Sequence, residues 1–129
     1  MRNRIDDAIG AYLQDRSDAA LRVLDRALIE EELHVPVSEP VSELIPGRYD
    51  VAVVCIKTDA GEGAIPVFTT VAHLFEWKPE GCLYTSLNGR SVIEMATGME
   101  AISEILINPK GVPRGRIPRA DFMRMLALP

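Results

Sequence analysis

The residues that could carry acid–base or metal chemistry are few in this sequence and lie far apart. His34 and His73 are the two histidines, and neither has a second ligand at the short spacings typical of metal sites. We therefore expect no metal site and no cofactor. Both histidines are interpreted as ordinary surface or half-buried side chains.

The two cysteines, Cys55 and Cys82, form no CxxC pair. A thiol becomes a nucleophile when a positive charge or a helix N-terminus lowers its pKa, and neither cysteine directly begins a predicted helix. Cys55 lies in the apolar run Val51–Ile56, where a thiol behaves as a small hydrophobic group. We expect both thiols to be buried and unpaired, so no catalytic residue is assigned.

Four polar residues lie in turns or at the ends of predicted strands, where α/β proteins often bind ligands. They are Asp59, Glu62, Asn88 and Asn108. If they converge on one cleft, the chain is a small-molecule-binding or enzymatic domain. Turn formation and helix capping require the same residue types, so this interpretation stays an alternative.

The amino-acid composition restricts the classes of protein to which this chain can belong. Hydrophobic residues make up 47% and charged residues 26% of the 129 residues, which is typical of a folded globular domain. No apolar run approaches the roughly 20 residues that cross a bilayer, and the N-terminus resembles no secretory signal. We expect a cytoplasmic protein with no membrane partner. The net charge of −5 also argues against nucleic acid as a partner.

The charges are unevenly distributed along the chain. Residues 30–50 carry one basic residue, Arg48, among acidic ones: Glu30, Glu31, Glu32, Glu39, Glu43 and Asp50. Residues 110–124 carry one acidic residue, Asp121, among basic ones: Lys110, Arg114, Arg116, Arg119 and Arg124. This asymmetry could steer an acidic partner or pair two copies head to tail. Two solvated surfaces of one domain also explain it, and we favour that explanation.

The hydrophobic spacing predicts the elements that must position these residues. Residues 4–15 and 18–31 have helical periodicity, with Ser17 as the N-cap of the second helix, so a helical hairpin is expected. Residues 37–47 are predicted to form a loop. Tyr49–Thr58 is predicted as a central strand covered on both faces, and Asp59–Gly63 as a turn before a second strand, Ile65–Thr69.

The second half of the chain alternates between helices and strands. A short helix, Val71–Trp77, is expected to follow a Thr69 or Thr70 cap. A strand over Cys82–Leu87, a helix capped by Asn88, a strand over Glu104–Asn108 and a last helix after Pro118 complete the prediction. The sequence therefore predicts one mixed α/β domain over residues 1–129. A helical hairpin (4–31) precedes an α/β body (32–127) with a mixed sheet of about four or five strands.

Several strings within this order of elements are characteristic. Leu33-His34-Val35-Pro36 comes first, then Ile65-Pro66-Val67-Phe68-Thr69-Thr70, Leu74 with Trp77, and Ile105-Leu106-Ile107-Asn108-Pro109. Together they resemble the SseB N-terminal domain family, named for an enhanced-serine-sensitivity phenotype, over roughly residues 20–127. The resemblance implies an α/β fold in a bacterial cytoplasm and brings no established active site. Members often carry acidic residues where this chain has Val71-Ala72.

The short helix Val71–Trp77 has more apolar side chains than one buried stripe requires. Either it is covered on two sides, with Trp77 in the core, or part of it is exposed for a partner. We favour a non-catalytic interaction or regulatory module that binds a protein partner or a second copy of itself. The candidate contact residues are Phe68, Val71, Phe75 and Trp77.

Overall fold

The computed structural model describes residues 3–129, apart from the side chains of Leu44, Arg48 and Tyr49. Two helices begin the chain, α1 (Arg4–Gln14) and α2 (Asp18–Glu30). The Asn3 side chain accepts hydrogen bonds from the amides of Ile5 and Asp6, and Ser17 Oγ accepts one from the amide of Ala20. These caps satisfy amides that have no partner within a helix, and the predicted helical hairpin is confirmed.

The remaining elements follow α2 in chain order. The strands are β1 (Glu32–Pro36), β2 (Ser42–Ile45), β3 (Arg48–Asp50), β4 (Ile56–Lys57), β5 (Gly63–Val67), β6 (Tyr84–Asn88), β7 (Ile102–Ile107) and β8 (Gly115–Pro118). The helices are α3 (Val71–Trp77), α4 (Gly89–Thr97) and α5 (Phe122–Leu126), the last preceded by one 3-10 turn at Arg119–Asp121.

The largest sheet has the strand order β4-β5-β7-β8. Its two inner strands, β5 and β7, are parallel, with Ile65 opposite Ile105, and its two outer strands run antiparallel to them. β1 pairs with β6, and β2 pairs with β3. A bridge between His34 and Phe68 joins β1 to the end of β5 through two backbone hydrogen bonds of 2.8 and 2.9 Å.

One hydrophobic core connects the helical hairpin to the sheet. Ile5 and Ile9 of α1 and Leu28 of α2 are buried in the same cluster as Ile65 and Ile105 of the inner strands. β5 is buried from Ala64 to Val67, whereas β7 alternates between the buried Ile102, Ile105 and Ile107 and half-buried residues that include Glu104. The mixed α/β class is confirmed. No described helix is long and apolar enough to span a membrane.

The prediction for Tyr49–Thr58 is wrong. Regular strand structure is confined there to Arg48–Asp50 and Ile56–Lys57, and β4 is an edge strand of the four-stranded sheet. Val51–Val54 are only half-buried, so β-branched side chains indicated an extended backbone but not a central position. Cys55 is exposed, which also overturns its expected burial.

Residues 37–47, predicted to be a loop, contain the first strand of a hairpin. β2 pairs with β3 through a turn at Gly47, whose φ of 82° is a conformation that glycine adopts without strain. β8, which follows the turn after β7, was not predicted either. Both strands are four residues long, too short to show a clear alternation of apolar and polar residues.

Candidate functional site

The candidate site is built on helix α3 and the strand end that precedes it. The hydroxyl of Thr70 accepts a hydrogen bond from the amide of His73 at 3.2 Å, which starts the helix where the sequence predicts. Leu74 is fully buried, and Val71 and Trp77 are half-buried. Phe75, the residue after Leu74 in the helix, is 46% exposed.

Phe68, one of the predicted contact residues, lies in the core with no exposed surface. Its ring packs against that of Trp77 with centroids 5.4 Å apart. The Lys78 ammonium lies 5.8 Å from the centroid of the Trp77 ring. Phe68 therefore packs against α3 from within the core, whereas Val71, Phe75 and Trp77 retain exposed surface.

Two exposed apolar residues that sequence reasoning missed follow the turn against which Phe75 lies. A Cβ placed on Gly81 would be 3.2 Å from the Phe75 ring, so that ring lies against the turn leading into β6. Immediately after this turn, Leu83 is 51% and Tyr84 is 42% exposed. We call Phe75, Leu83 and Tyr84 the α3–β6 surface. The adjacent pair Leu83-Tyr84 was visible in the sequence, but nothing there indicated its exposure.

The outer edge of β6 lies beside these side chains. β6 pairs only with β1 among the described strands. The Leu83 carbonyl accepts from the Val37 amide, and the Gly89 amide donates to the Glu31 carbonyl, both at 3.0 Å. Backbone groups alternate along an antiparallel strand, so those of Tyr84 and Ser86 point away from β1. Such an open edge can pair with a strand from another chain.

A second feature is a buried polar cluster at the carboxyl ends of β5 and β7. Asn108 is fully buried with a positive φ of 50°, and its side chain accepts from the Thr69 amide at 3.0 Å. Its amide nitrogen donates to Thr69 Oγ1 at 3.0 Å and to the Pro113 carbonyl at 3.1 Å. Every polar atom of this side chain is therefore used within the protein.

Asp6 connects helix α1 to this cluster. Its Oδ1 accepts from the Thr69 hydroxyl at 2.5 Å and from the Asn108 side chain at 3.3 Å. Its Oδ2 lies 3.3 Å from His73 Nε2. The cluster thus ties α1, α3 and the two inner strands together. We interpret it as a structural connection, since Thr69 and Asn108 are closed to solvent.

His73 lies between two carboxylates. Besides Asp6, Glu76 Oε1 lies 3.2 Å from His73 Nδ1, although the two atoms are not oriented for a hydrogen bond. Gly111 leaves room for the imidazole, because a Cβ at Gly111 would come within 2.6 Å of Nδ1. His73 is therefore enclosed by its neighbours.

His34 is separate from His73 and lies on β1. Its Nδ1 is 3.1 Å from Ser86 Oγ, and its ring meets that of Tyr84 edge to face. Partial burial lowers the pKa of His34 below its ordinary value of 6.5. Among the described residues, no group of three or more histidines, cysteines or acidic residues could hold a metal ion.

The four polar residues of the alternative site lie at different places in the fold. Asp59 and Glu62 are exposed in the turn before β5, whereas Asn108 is buried after β7. Because β5 and β7 are parallel, this turn and Asn108 lie at opposite ends of the same strand pair. Asn88 caps α4 through the amide of Ser91 at 2.9 Å. The structure brings no three of them together.

The two cysteines are unpaired, as predicted. Cys55 is exposed, yet partial burial of its thiol raises the pKa above the ordinary value of 9.0. Burial likewise raises the pKa of Cys82, and of the smaller effects the Lys78 charge lowers this pKa while the Glu80 charge raises it. A raised pKa reduces the thiolate fraction, so neither environment activates a nucleophile.

The basic residues of the last third of the chain are largely engaged within the fold. Arg119 donates to the carbonyls of Ala96, Thr97, Met99 and Ile102 at the end of α4. Arg124 pairs with the buried Asp25, which raises the arginine pKa, and Arg116 Nε bonds Glu104 at 2.8 Å. Lys110 and Arg114 have no ion-pair partner among the described residues.

Comparison with known proteins identifies the family. The model of the SseB protein N-terminal domain matches residues 5–121, which include the helical hairpin, both inner strands and α3. No curated protein and no solved structure matches the chain. The match covers most of the chain and agrees with the resemblance of its strings. This chain belongs to the SseB protein N-terminal domain family.

Proposed function

We propose that this chain is a non-catalytic interaction module that binds an extended segment of a partner protein at the α3–β6 surface. One observation carries the proposal: three large apolar side chains, Phe75, Leu83 and Tyr84, are each more than two-fifths exposed beside an open strand edge. An extended segment that pairs with β6 would satisfy its free backbone groups. Its apolar side chains would cover the aromatic rings.

The binding energy in this arrangement comes from two sources. Backbone hydrogen bonds to Tyr84 and Ser86 would set the register of the added strand but carry little sequence preference. Burial of Phe75 and Leu83 against the partner would supply apolar contact area and specificity. Half-buried Val71 lies one helical turn before Phe75 on the same face and would add to this contact. The partner segment is therefore expected to alternate apolar and polar residues.

In this proposal the helical hairpin and the sheet form one folded unit. The shared core supports this, because Ile5 and Leu28 of the helical hairpin belong to the same buried cluster as Ile65 of the sheet. We assign it to a bacterial cytoplasm. The unpaired cysteines are consistent with a reducing compartment.

The test places a photoreactive phenylalanine analogue at position 75 in cells of the source organism and identifies crosslinked proteins by mass spectrometry. The matched control carries the analogue at Val23, which is 58% exposed on α2, far from β6 in the chain. We expect a protein captured from position 75 and not from position 23. Leu83→Ser, in the crosslinking chain, should abolish that capture while leaving the thermal unfolding temperature almost unchanged.

Two results would contradict the proposal. One is an identical set of crosslinked proteins from positions 75 and 23. The other is capture that survives Leu83→Ser and Tyr84→Ser together. If the crosslinks join position 75 only to further copies of the chain, the α3–β6 surface mediates self-association and does not bind a different protein.

A second candidate function, small-molecule binding, is favoured by one cavity. It has a volume of about 660 Å³ beside Glu62, and its walls include Lys57, Glu100 and Arg119. We propose a thermal-shift screen with small charged metabolites, serine among them. A rise in unfolding temperature that Glu62→Gln removes would support this function, and an unchanged unfolding temperature with all compounds would reject it.

A further inference from the structure

The hairpin of β2 and β3 projects from the fold. We call residues 38–50 the arm. Every described side chain of the arm is exposed, and its two strands pair with each other and with no other described strand. The arm is attached at its base, where the Ser38 amide donates to the Ala52 carbonyl at 2.8 Å and Val37 bridges Val53.

The arm combines apolar and acidic side chains. Val41 is 37% and Ile45 is 56% exposed. Glu39 and Glu43 have no ion-pair partner among the described residues. A strand pair with two exposed aliphatic residues, and with acids that meet no described basic group, is suited to a surface that carries both exposed apolar side chains and basic residues.

A groove of that kind lies between the helical hairpin and β8. It contains a cavity of about 220 Å³ whose lining includes the buried Ile9, Leu28 and Ile107 together with Arg16 and Arg114. Two further cavities, of about 340 and 680 Å³, also border Arg114 and extend the groove. We call this the basic groove.

Two arginines of the basic groove carry charge that no carboxylate of the described residues neutralises. The Arg16 guanidinium lies 5.5 Å from the centroid of the Tyr12 ring and meets no carboxylate among the described residues, and the same is true of Arg114. Nearby Leu13 and Val112 are 53% and 88% exposed. The positive charge of the basic groove is thus opposite to the charge of Glu39 and Glu43, and both the groove and the arm expose apolar side chains.

The arm and the basic groove of one chain lie at opposite sides of the sheet. The arm leads into β4 through residues 51–55, and the groove is walled by β8. β4 and β8 are the two outer strands of the four-stranded sheet, about 14 Å apart at strand spacings of about 4.8 Å. Every described side chain of the arm is exposed, so the arm does not occupy the basic groove of its own chain and is free to meet one on another copy.

From this placement we propose that the arm of one copy docks into the basic groove of the next, so that the chain self-associates head to tail. Glu39 and Glu43 pair with Arg16 and Arg114, and Val41 and Ile45 cover the exposed side chains of Leu13 and Val112. Because the two docking surfaces differ, an open assembly keeps one free groove at one end and one free arm at the other until a ring closes. This contact is separate from the α3–β6 surface, and neither proposal depends on the other.

The test measures assembly by sedimentation velocity with three chains. They are the natural chain, an arm variant (Glu43→Gln with Ile45→Ser) and a groove variant (Arg16→Gln with Arg114→Gln). We expect the natural chain to assemble beyond the dimer with rising concentration, and less so at high salt, which screens charges. Each variant alone should associate about tenfold more weakly or worse, because removing one side of a charged contact weakens it.

Mixing the variants provides the decisive measurement. The arm variant has an intact groove, and the groove variant has an intact arm, so an equal mixture should form a one-to-one dimer that grows no further. A matched control with Arg22→Gln and Glu80→Gln, both exposed and outside the two surfaces, should assemble like the natural chain. Thermal unfolding of all variants should match the natural chain, which shows that they are folded.

Four outcomes would overturn the proposal. The first three are a natural chain that stays monomeric at every concentration, assembly that persists in either variant alone, and a mixture that stays monomeric. Assembly that stops at a dimer in the natural chain and is lost in both variants also rejects a head-to-tail contact, because a single heterologous contact leaves each dimer with free surfaces for growth.

Discussion

The Trp77 ring packs on the Phe68 ring, with centroids 5.4 Å apart and planes inclined by 42°. Phe68 has no exposed surface, whereas Trp77 is half-buried. The pair explains how a seven-residue helix can be apolar around most of its circumference. Leu74 and Trp77 attach α3 to the core, and Phe75 is left for the outer surface.

The two rings are expected to contribute unequally to stability. Phe68→Ala leaves a cavity in the core and should lower the free energy of unfolding by about 3–5 kcal/mol. Trp77→Ala should lower it by about 2 kcal/mol, because part of the indole is already in contact with water. Urea unfolding of both variants measures the difference. Equal losses would show that Trp77 is as much a core residue as Phe68.

Two glycines give opposite predictions for the same substitution. Gly10 lies inside α1 with open space around it, so Gly10→Ala should raise the free energy of unfolding by about 0.5–1 kcal/mol. Gly89 starts α4 against α2, where a Cβ would lie 1.4 Å from the Leu28 carbonyl oxygen. Gly89→Ala should destabilise by about 2–4 kcal/mol because the backbone must move. Paired thermal melts test both, and a stable Gly89→Ala variant would contradict this packing.

The side chain and the backbone conformation of Asn108 can be tested separately. Asn108→Gly keeps a residue suited to the φ of 50° but removes the bond to the buried Thr69 amide. It should cost about 2–3 kcal/mol through that unsatisfied donor. Asn108→Ala should cost about 1 kcal/mol more, because alanine is strained at positive φ. If alanine were no worse than glycine in chemical unfolding, backbone strain at this position would be absent.

His34 should make stability depend on pH in the weakly acidic range. Its pKa is lower in the folded chain than its ordinary value of 6.5, chiefly because of partial burial, while Glu32 opposes the shift. The unfolded chain therefore binds more protons as the pH falls through 6.5, and stability declines until the folded-state pKa is passed. His34→Gln should flatten this part of the curve of unfolding temperature against pH. Parallel curves for the natural chain and the variant would contradict the assignment.

Helices and caps were predictable because they depend on residues close in the chain. The hydroxyls of Ser17 and Thr70 and the side chain of Asn88 each bond an amide three residues ahead. The hydrophobic spacing of α1 and α2 similarly indicates which face is buried. The family strings follow the same elements, so the fold class and the family could be inferred from the sequence.

Strand positions were harder because pairing partners come from distant parts of the chain. Val51–Ile56 has the β-branched residues of a central strand, yet no inner position is available to it, since β7 occupies the place beside β5. The four residues of the alternative ligand site could not be placed relative to one another for the same reason. Their separation depends on the parallel pairing of β5 with β7.

The sequence by itself determined the helical hairpin, the capped helix Val71–Trp77, the mixed α/β class and the family, because local spacing and capping carry that information. Only the tertiary structure decided that Phe68 is buried while Phe75, Leu83 and Tyr84 are exposed, and that Asp6 meets Asn108 across 102 positions of the chain. Burial and long-range polar contacts depend on which strands become neighbours. That choice is made by packing of the whole core rather than by any one segment.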